Sequence, residues 1–259
     1  MSTSNTVPID RSVLDLLDKC HMGDCREVMR DWPAAFADAC ITDPPYGDTS
    51  LSWDKQCIGW VAQVARILKP HASIWVFGSM RYIATLFEEM ENAGFKYAQD
   101  IVWEKQNGSG FHADRFRRVH EHAVQFYRGS WGEVPKFPQY TRDARKKVVR
   151  RKTRPAHTGS IDQGHYVSED GGPRLVRSVI KVANEHGKAV HPTQKPLEIL
   201  APLINYSVPP GGIAVDPFYG SGSLGIAASM LGRHFIACEN DPECFGMQLE
   251  RTRQTALPL

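Results

Sequence analysis

The chain has 259 residues, 42% of them hydrophobic and 23% charged, which supports one large domain or two small ones around a real core and excludes a disordered or fibrous protein. No apolar run approaches the roughly 18 to 20 residues that cross a bilayer, and the first residues (STSNTVPIDRS) show neither a basic start nor an apolar signal segment, so a cytoplasmic protein without membrane contact is expected. The cysteines Cys20, Cys25, Cys40, Cys57, Cys238 and Cys244 form no C-x-x-C pair and no zinc-like grouping with histidine, which predicts reduced thiols and neither a metal nor a disulfide framework.

In chain order, short apolar runs predict strands at Lys19 to Met22, Ala39 to Thr42, Ser73 to Phe77, Tyr97 to Trp103, Ala123 to Tyr127, Ile213 to Asp216 and His234 to Cys238. Helical periods fall between them at Gly59 to Leu68, Arg81 to Ala93, Leu197 to Tyr206 and Ser223 to Leu231, with Pro70 and Gly94 acting as stops after the first two. The alternation predicts the α/β class: one seven-stranded, mostly parallel sheet with helices on both faces. From about 130 to 190 the pattern changes to a polar, basic stretch rich in glycine and proline, with weak periodicity, which has the character of an insertion.

The net charge of +2 hides an uneven distribution. Between Arg115 and Arg154 there are 13 Lys or Arg against the acids Glu121, Glu133 and Asp143, a local charge of +10 that leaves −8 on the other 219 residues. Arg142, Arg145, Lys146, Lys147, Arg150, Arg151, Lys152 and Arg154 crowd thirteen positions, with Phe137 and Tyr140 just upstream. A solvated loop and a surface for a polyanion both fit such a run; phosphates would bind there with release of counterions.

Two turns carry chemistry. Ile213 to Asp216 is a strand, and Pro217-Phe218-Tyr219-Gly220-Ser221-Gly222-Ser223 leads straight into an apolar helix. Gly220, Gly222 and Gly225 make a G-x-G-x-x-G turn, and Glu239 lies 19 residues past the first of them at the end of the next strand. Glycine allows the tight turn and close backbone approach, and the acid can accept ribose hydroxyls, so an adenosine-containing ligand is expected. A nicotinamide dinucleotide also fits the bare pattern. Asp216, however, would repel a pyrophosphate and would hydrogen-bond the ammonium of an amino-acid moiety, which favours S-adenosylmethionine.

The second turn, Asp43-Pro44-Pro45-Tyr46, follows an apolar strand and so sits at the carboxyl end of the sheet, where open α/β sheets bind ligands. The two prolines fix φ and remove two donors, leaving a stiff corner that presents carbonyl oxygens beside the Asp43 carboxylate. An exocyclic amine of a base is a poor nucleophile until acceptors grip its N–H groups. Asp43 and the Pro44 carbonyl are two such acceptors, and Tyr46 offers an aromatic plane for a base taken out of its stack. A rigid surface turn with a capping Asp is the plainer alternative.

DPPY at 43–46, HPTQKP at 191–196 and DPFYGSGS at 216–223, in that order, resemble the β-group of bacterial and phage DNA amino-methyltransferases. Weaker matches extend the similarity: MGDC at 22–25, ILKPHASIWVFGS at 67–79, IVWEKQN at 101–107, HEHAVQFYR at 120–128 and GRHFIACEND at 232–241. The resemblance implies a Rossmann-like S-adenosylmethionine-dependent methyltransferase fold with circularly permuted motifs. Its catalytic half would span 1–129, an inserted basic target-recognition region 130–190, and the cofactor-binding half 191–259.

Roles follow for the matching positions. Asp43, Pro44, Pro45 and Tyr46 correspond to the catalytic corner. Asp216, Phe218, Gly220, Ser221, Gly222 and Ser223 correspond to the cofactor turn, Glu239 to the ribose acid, and Asp24, with Cys25 beside it, to the acid near the cofactor adenine. Thr193 and Lys195, with His191 in the same motif, match positions that hold the methionine carboxylate. Ser223 stands where many members carry Thr and keeps the hydroxyl. DPPY rather than SPPY favours N6 of adenine over N4 of cytosine. The implied partner is double-stranded DNA, held through Arg142, Arg145, Lys146, Lys147, Arg150, Arg151, Lys152 and Arg154; relatives often form homodimers, and a restriction endonuclease partner is left open. An inactive DNA-binding regulator on this scaffold and a nicotinamide-dependent oxidoreductase are the competing readings.

Overall fold

The computed structural model describes residues 9–51, 53–109, 113–150, 165–183 and 194–255. It divides into two compact units, Met1–Phe137 with Ser178–Leu259, and Pro138–Arg177.

The larger unit is built on one eight-stranded sheet. In chain order its strands are β1 (Lys19–Met22), β2 (Ala37–Thr42), β3 (Leu68–Gly78), β4 (Lys96–Ser109), β5 (Arg118–Tyr127), then β10 (Val179–Lys181), β11 (Ile213–Asp216) and β12 (His234–Glu239). The four strands between β5 and β10 belong to the smaller unit. Across the sheet the order is β1-β12-β11-β2-β3-β5-β4-β10, and β5 alone runs antiparallel to its neighbours. All seven strands expected from the sequence are present, and the eighth, β10, comes from within the stretch expected to be inserted. Val179, Ile180 and Lys181 pair in parallel with Val102, Trp103 and Glu104, so chain that lacks any internal periodicity is ordered by the edge it completes.

The central strand β2 shows why the apolar runs are continuous. Every residue of Ala37–Thr42 is buried because both faces of the sheet are covered. Cys40 joins the core formed with α2 (Cys25–Val28), α3 (Trp60–Ile67) and α4 (Met80–Asn92). Ala39 and Ile41 point the other way, toward α5 (Leu197–Ser207) and α6 (Ser223–Met230). The amphipathic period of α3 buries Trp60, Val61, Val64 and Ile67. Ser79 caps α4 by accepting from Tyr82 N at 3.3 Å, and Gly94, at φ +81°, lets the chain leave that helix. The four predicted helices thus lie where the periodicity put them, while α1 (Arg11–Leu14), α2 and α7 (Pro242–Thr255) were not anticipated.

The sheet reverses its order between β11 and β2. From β11 the chain proceeds to β12 on one side, and from β2 to β3 on the other, with Ala214 opposite Ala39 and Val215 opposite Cys40. The carboxyl ends of these adjacent parallel strands open a crevice at the position where α/β sheets receive ligands.

In the smaller unit, β6 (Tyr140–Thr141) pairs antiparallel with β9 (Arg174–Leu175), and β7 (Lys147–Arg150) with β8 (His165–Ser168). Arg142, Arg145, Lys146 and Lys147 are exposed on it, and Lys146 lies 3.8 Å from Glu169. The backbone of Arg150 ends β7; Arg151, Lys152 and Arg154 lie outside the described residues.

Candidate active site

A cavity of about 1180 Å³ in the larger unit is lined by both turns singled out in the sequence. Thr42 ends β2 and Asp216 ends β11. Thr42 Oγ1 donates to Asp216 Oδ1 at 2.6 Å, so the diproline corner and the glycine turn start side by side. Asp216 Oδ1 also accepts from Phe218 N at 3.0 Å, which bends the chain into the turn. Burial pushes the Asp216 carboxyl up to about 7 against the lowering effect of these two donors, and the nearby Asp43 and Glu239 raise it further.

The glycine turn is shaped for close approach. Gly220 and Gly222 have φ of +52° and +79°, and no atom lies within 4 Å of where a Cβ on Gly220 would stand. Gly225 serves packing instead, since a Cβ there would come within 1.9 Å of Tyr219 Oη and 2.9 Å of Phe235. Glu239 ends β12, with one oxygen accepting from Gly220 N at 2.6 Å and the other from Asp241 N at 2.8 Å. Each oxygen keeps a further lone pair, and burial raises the carboxyl above its ordinary range. Phe218 is packed edge-on against Trp60 at 5.5 Å, which fixes its ring at the cavity wall.

Asp24 caps α2 by accepting from Arg26 N at 2.8 Å and pairs with the Arg26 guanidinium, whose hydrogen bond holds its carboxyl below the usual value. It lines the same cavity, as do Cys25, Ser221 and Ser223. His191 and Thr193 lie outside the described residues.

In the diproline corner, Tyr46 Oη donates to Asp43 Oδ1 and its ring stacks on Tyr82, with centroids 5.5 Å apart. The loop that follows is tied down by Asp54, which accepts from Gly47 N (2.8 Å), Thr49 N (2.7 Å) and Thr49 Oγ1 (2.6 Å), and by Gln56 Nε2, which donates to the Tyr46 carbonyl at 2.9 Å.

Lys195 lines the same cavity, and its ammonium sits against Asp43 Oδ2, with Glu121 Oε2 3.5 Å away. Burial lowers the pKa of this ammonium, yet the two carboxylates outweigh burial and hold it above the ordinary lysine value. Glu121 in turn pairs with Lys105; burial raises its carboxyl, and the two lysines more than offset this. Glu121 and Lys105 were not among the residues expected at the site. The segment HEHAVQFYR did contain Glu121, but nothing in its local spacing distinguishes an acid facing a cavity from one facing solvent. Trp103 is buried and donates Nε1 to the Val182 carbonyl at 2.9 Å, so packing fixes it while its surface lines the cavity.

Solved structures share this arrangement of strands and helices. M1.HpyAVI in complex with SAM superposes with a TM-score of 0.61 at 26% identity, over 90% of this chain and 98% of that chain. The PvuII cytosine-N4-specific DNA methyltransferase superposes with a TM-score of 0.63 at 17% identity, over 90% and 85% of the two chains, a likeness of fold. The fold is therefore that of the S-adenosylmethionine-dependent methyltransferases. The chain belongs to the DNA methylase family of N6 and N4 amino-methyltransferases, whose family model matches residues 37–248. Among curated proteins it is 27% identical to the type II methyltransferase M.HinfI of Haemophilus influenzae, over 94% of this chain and 70% of that protein. It is 29% identical to the type II methyltransferase M2.DpnII of Streptococcus pneumoniae, over 71% of this chain and 61% of that protein. No helix among the described residues is long and apolar enough to cross a membrane.

Proposed function

We propose that this DNA methyltransferase transfers a methyl group from S-adenosylmethionine to N6 of an adenine taken out of the DNA duplex. The observation that carries the reading is the 2.6 Å contact between Thr42 and Asp216, which sets the amine-gripping corner and the cofactor turn at one crevice. The residues present fit the cofactor. Gly220 leaves an open cradle at positive φ, Glu239 offers lone pairs to ribose hydroxyls, Asp216 offers an acceptor to an ammonium, and the Phe218 ring forms an apolar wall.

When bound, S-adenosylmethionine would supply an electrophilic sulfonium methyl, with neutral sulfur as the leaving group and one amine proton to be given up to water. Asp43 and the Pro44 carbonyl accept the two amine hydrogens, orient the nitrogen lone pair and stabilise the positive charge that develops on it. Tyr46, backed by Tyr82, supplies a stiff platform for the base. Because Tyr46 Oη and Lys195 already engage the two Asp43 oxygens, the carboxylate is oriented before a base arrives.

Adenine is favoured over cytosine by the form of the corner, DPPY, among the amino-methyltransferases this chain resembles. The basic residues of the 130–190 stretch are assigned to phosphate contacts and to a subset of base contacts that confer site preference. Transfer of labelled methyl from S-adenosylmethionine to unmodified DNA, followed by digestion and separation of nucleosides, tests the reading. Label in N6-methyladenine is the expected result; label only in N4-methylcytosine overturns the choice of base, and absence of label overturns the activity.

A further inference from the structure

Four charged side chains alternate in sign behind the diproline corner. Lys195, just ahead of α5, contacts Asp43 on one side and lies 3.5 Å from Glu121 on the other. Glu121 stands on β5 opposite Trp103 of β4, and its other oxygen pairs with Lys105, whose ammonium lies 4.4 Å from the Trp103 ring. Glu121 Oε2 is buried without a hydrogen bond, so the Lys195 ammonium is the group it faces. A partly buried ion quartet is a poor device for stability, because apolar side chains of similar volume hold such a place as well or better. Here it abuts the carboxylate that grips the reacting amine.

We propose that Glu121 is a positioning residue for methyl transfer: acting through Lys195, it keeps the Asp43 carboxylate oriented while neutralising the lysine charge that would otherwise oppose the cation forming on the amine. The inference rests on the reading of Asp43 as the amine acceptor. With Glu121 present, Asp43, Lys195, Glu121 and Lys105 sum to zero charge. Without it, an unbalanced positive charge stands beside the nitrogen at the moment the nitrogen becomes cationic, which weakens transition-state binding and leaves ground-state binding of cofactor and DNA intact.

The pH dependence follows from the groups around Lys195. Asp43 faces it from the β2 corner and Glu121 from β5; Lys105 on β4 and Arg118 on β5 act on Glu121, while Asp43 also acts on Tyr46 and Asp216. Removing the Glu121 charge leaves the ammonium with one carboxylate neighbour instead of two, so it deprotonates at lower pH.

The experiment measures kcat against pH for Glu121→Gln, Glu121→Asp, Lys105→Met and Asp43→Asn, with cofactor affinity by calorimetry. Glu121→Gln is expected to lower kcat about tenfold, to move the alkaline limb to lower pH and to leave the Kd for S-adenosylmethionine within about twofold of the parent value. Glu121→Asp restores the limb, and Lys105→Met, which frees Glu121 for Lys195, moves it upward. A Glu121→Gln enzyme with parental kcat and limb overturns the proposal, as does a loss of cofactor affinity with the limb unmoved. If Glu121→Gln does not fold, an unmoved limb in Lys105→Met overturns it. Full activity in Asp43→Asn overturns the reading of Asp43 instead, which separates the two failures.

Discussion

Replacing Asp216 by Asn should separate stability from cofactor binding in a pH-dependent way. The carboxyl is buried and titrates near 7 rather than 3.8, so the folded chain holds a proton there that the unfolded chain has released. An acid whose folded pKa is raised loses stability as pH climbs: the folded state binds more protons between about 4 and 7, so its stability falls through that window and levels off above it. At 1.36 kcal/mol per unit, a rise from 3.8 to about 7 amounts to as much as about 4 kcal/mol. Asn keeps an acceptor oxygen for Thr42 Oγ1 and Phe218 N and carries no charge to desolvate. Urea melts should therefore show the two proteins equal near pH 4 and the Asp216→Asn variant more stable above pH 8. Cofactor affinity should move the opposite way, weakening by about tenfold or more, because an ammonium loses a charge-assisted acceptor. Binding of the cationic amino-acid moiety to the parent chain at pH 7 should also release about half a proton, measurable by calorimetry in buffers of different ionisation enthalpy. A stability difference that does not change with pH would refute the reasoning.

Asp43→Ala should abolish turnover while calorimetry finds cofactor affinity nearly unchanged; measurable methyl transfer removes Asp43 from the mechanism. Gly225→Ala drives a Cβ into Tyr219 Oη and Phe235, and overpacking of this kind costs about 1–3 kcal/mol; an unaltered urea midpoint would show that the neighbours yield freely. Neutralising Arg142, Arg145, Lys146 and Lys147 together should weaken DNA binding and reduce the slope of log affinity against log salt by about 3 to 4. An unchanged slope means these side chains do not touch phosphate.

Strands buried on both faces announce themselves by composition, which is why β2, β11 and β12 lie where the sequence led us to expect. The diproline corner and the glycine turn were legible for the same reason: each follows such a strand directly, and strand ends in a parallel sheet share one edge. Lys195 shows where local patterns fail. Asp43 lies 152 positions from it in the chain, and only the closing of α5 against the sheet brings them together. β10 was missed because a three-residue edge strand draws its order from the β4 backbone rather than from its own side chains. The ladders of the smaller unit are of the same kind, with Tyr140, Val148, Tyr166 and Leu175 exposed and no apolar alternation to betray them.

The electrostatics of the crevice explain why a turn of the dinucleotide type serves a cofactor without phosphates. A diphosphate bound at such a turn needs free backbone N–H groups and a positive helix end. Here Phe218 N is donated to Asp216 and Gly220 N to Glu239, so two of the turn's donors are directed to carboxylates of the protein itself. Asp24, Asp216, Glu239, Asp241 and Glu243 line this side of the cavity, and the Arg26 guanidinium that also lines it is paired with Asp24. A diphosphate would meet this field with repulsion, whereas a ligand with an ammonium, a sulfonium and ribose hydroxyls meets acceptors. Titration with S-adenosylmethionine should accordingly give saturable binding under conditions where NAD gives none, and comparable binding of NAD would show that the backbone donors exchange partners at little cost.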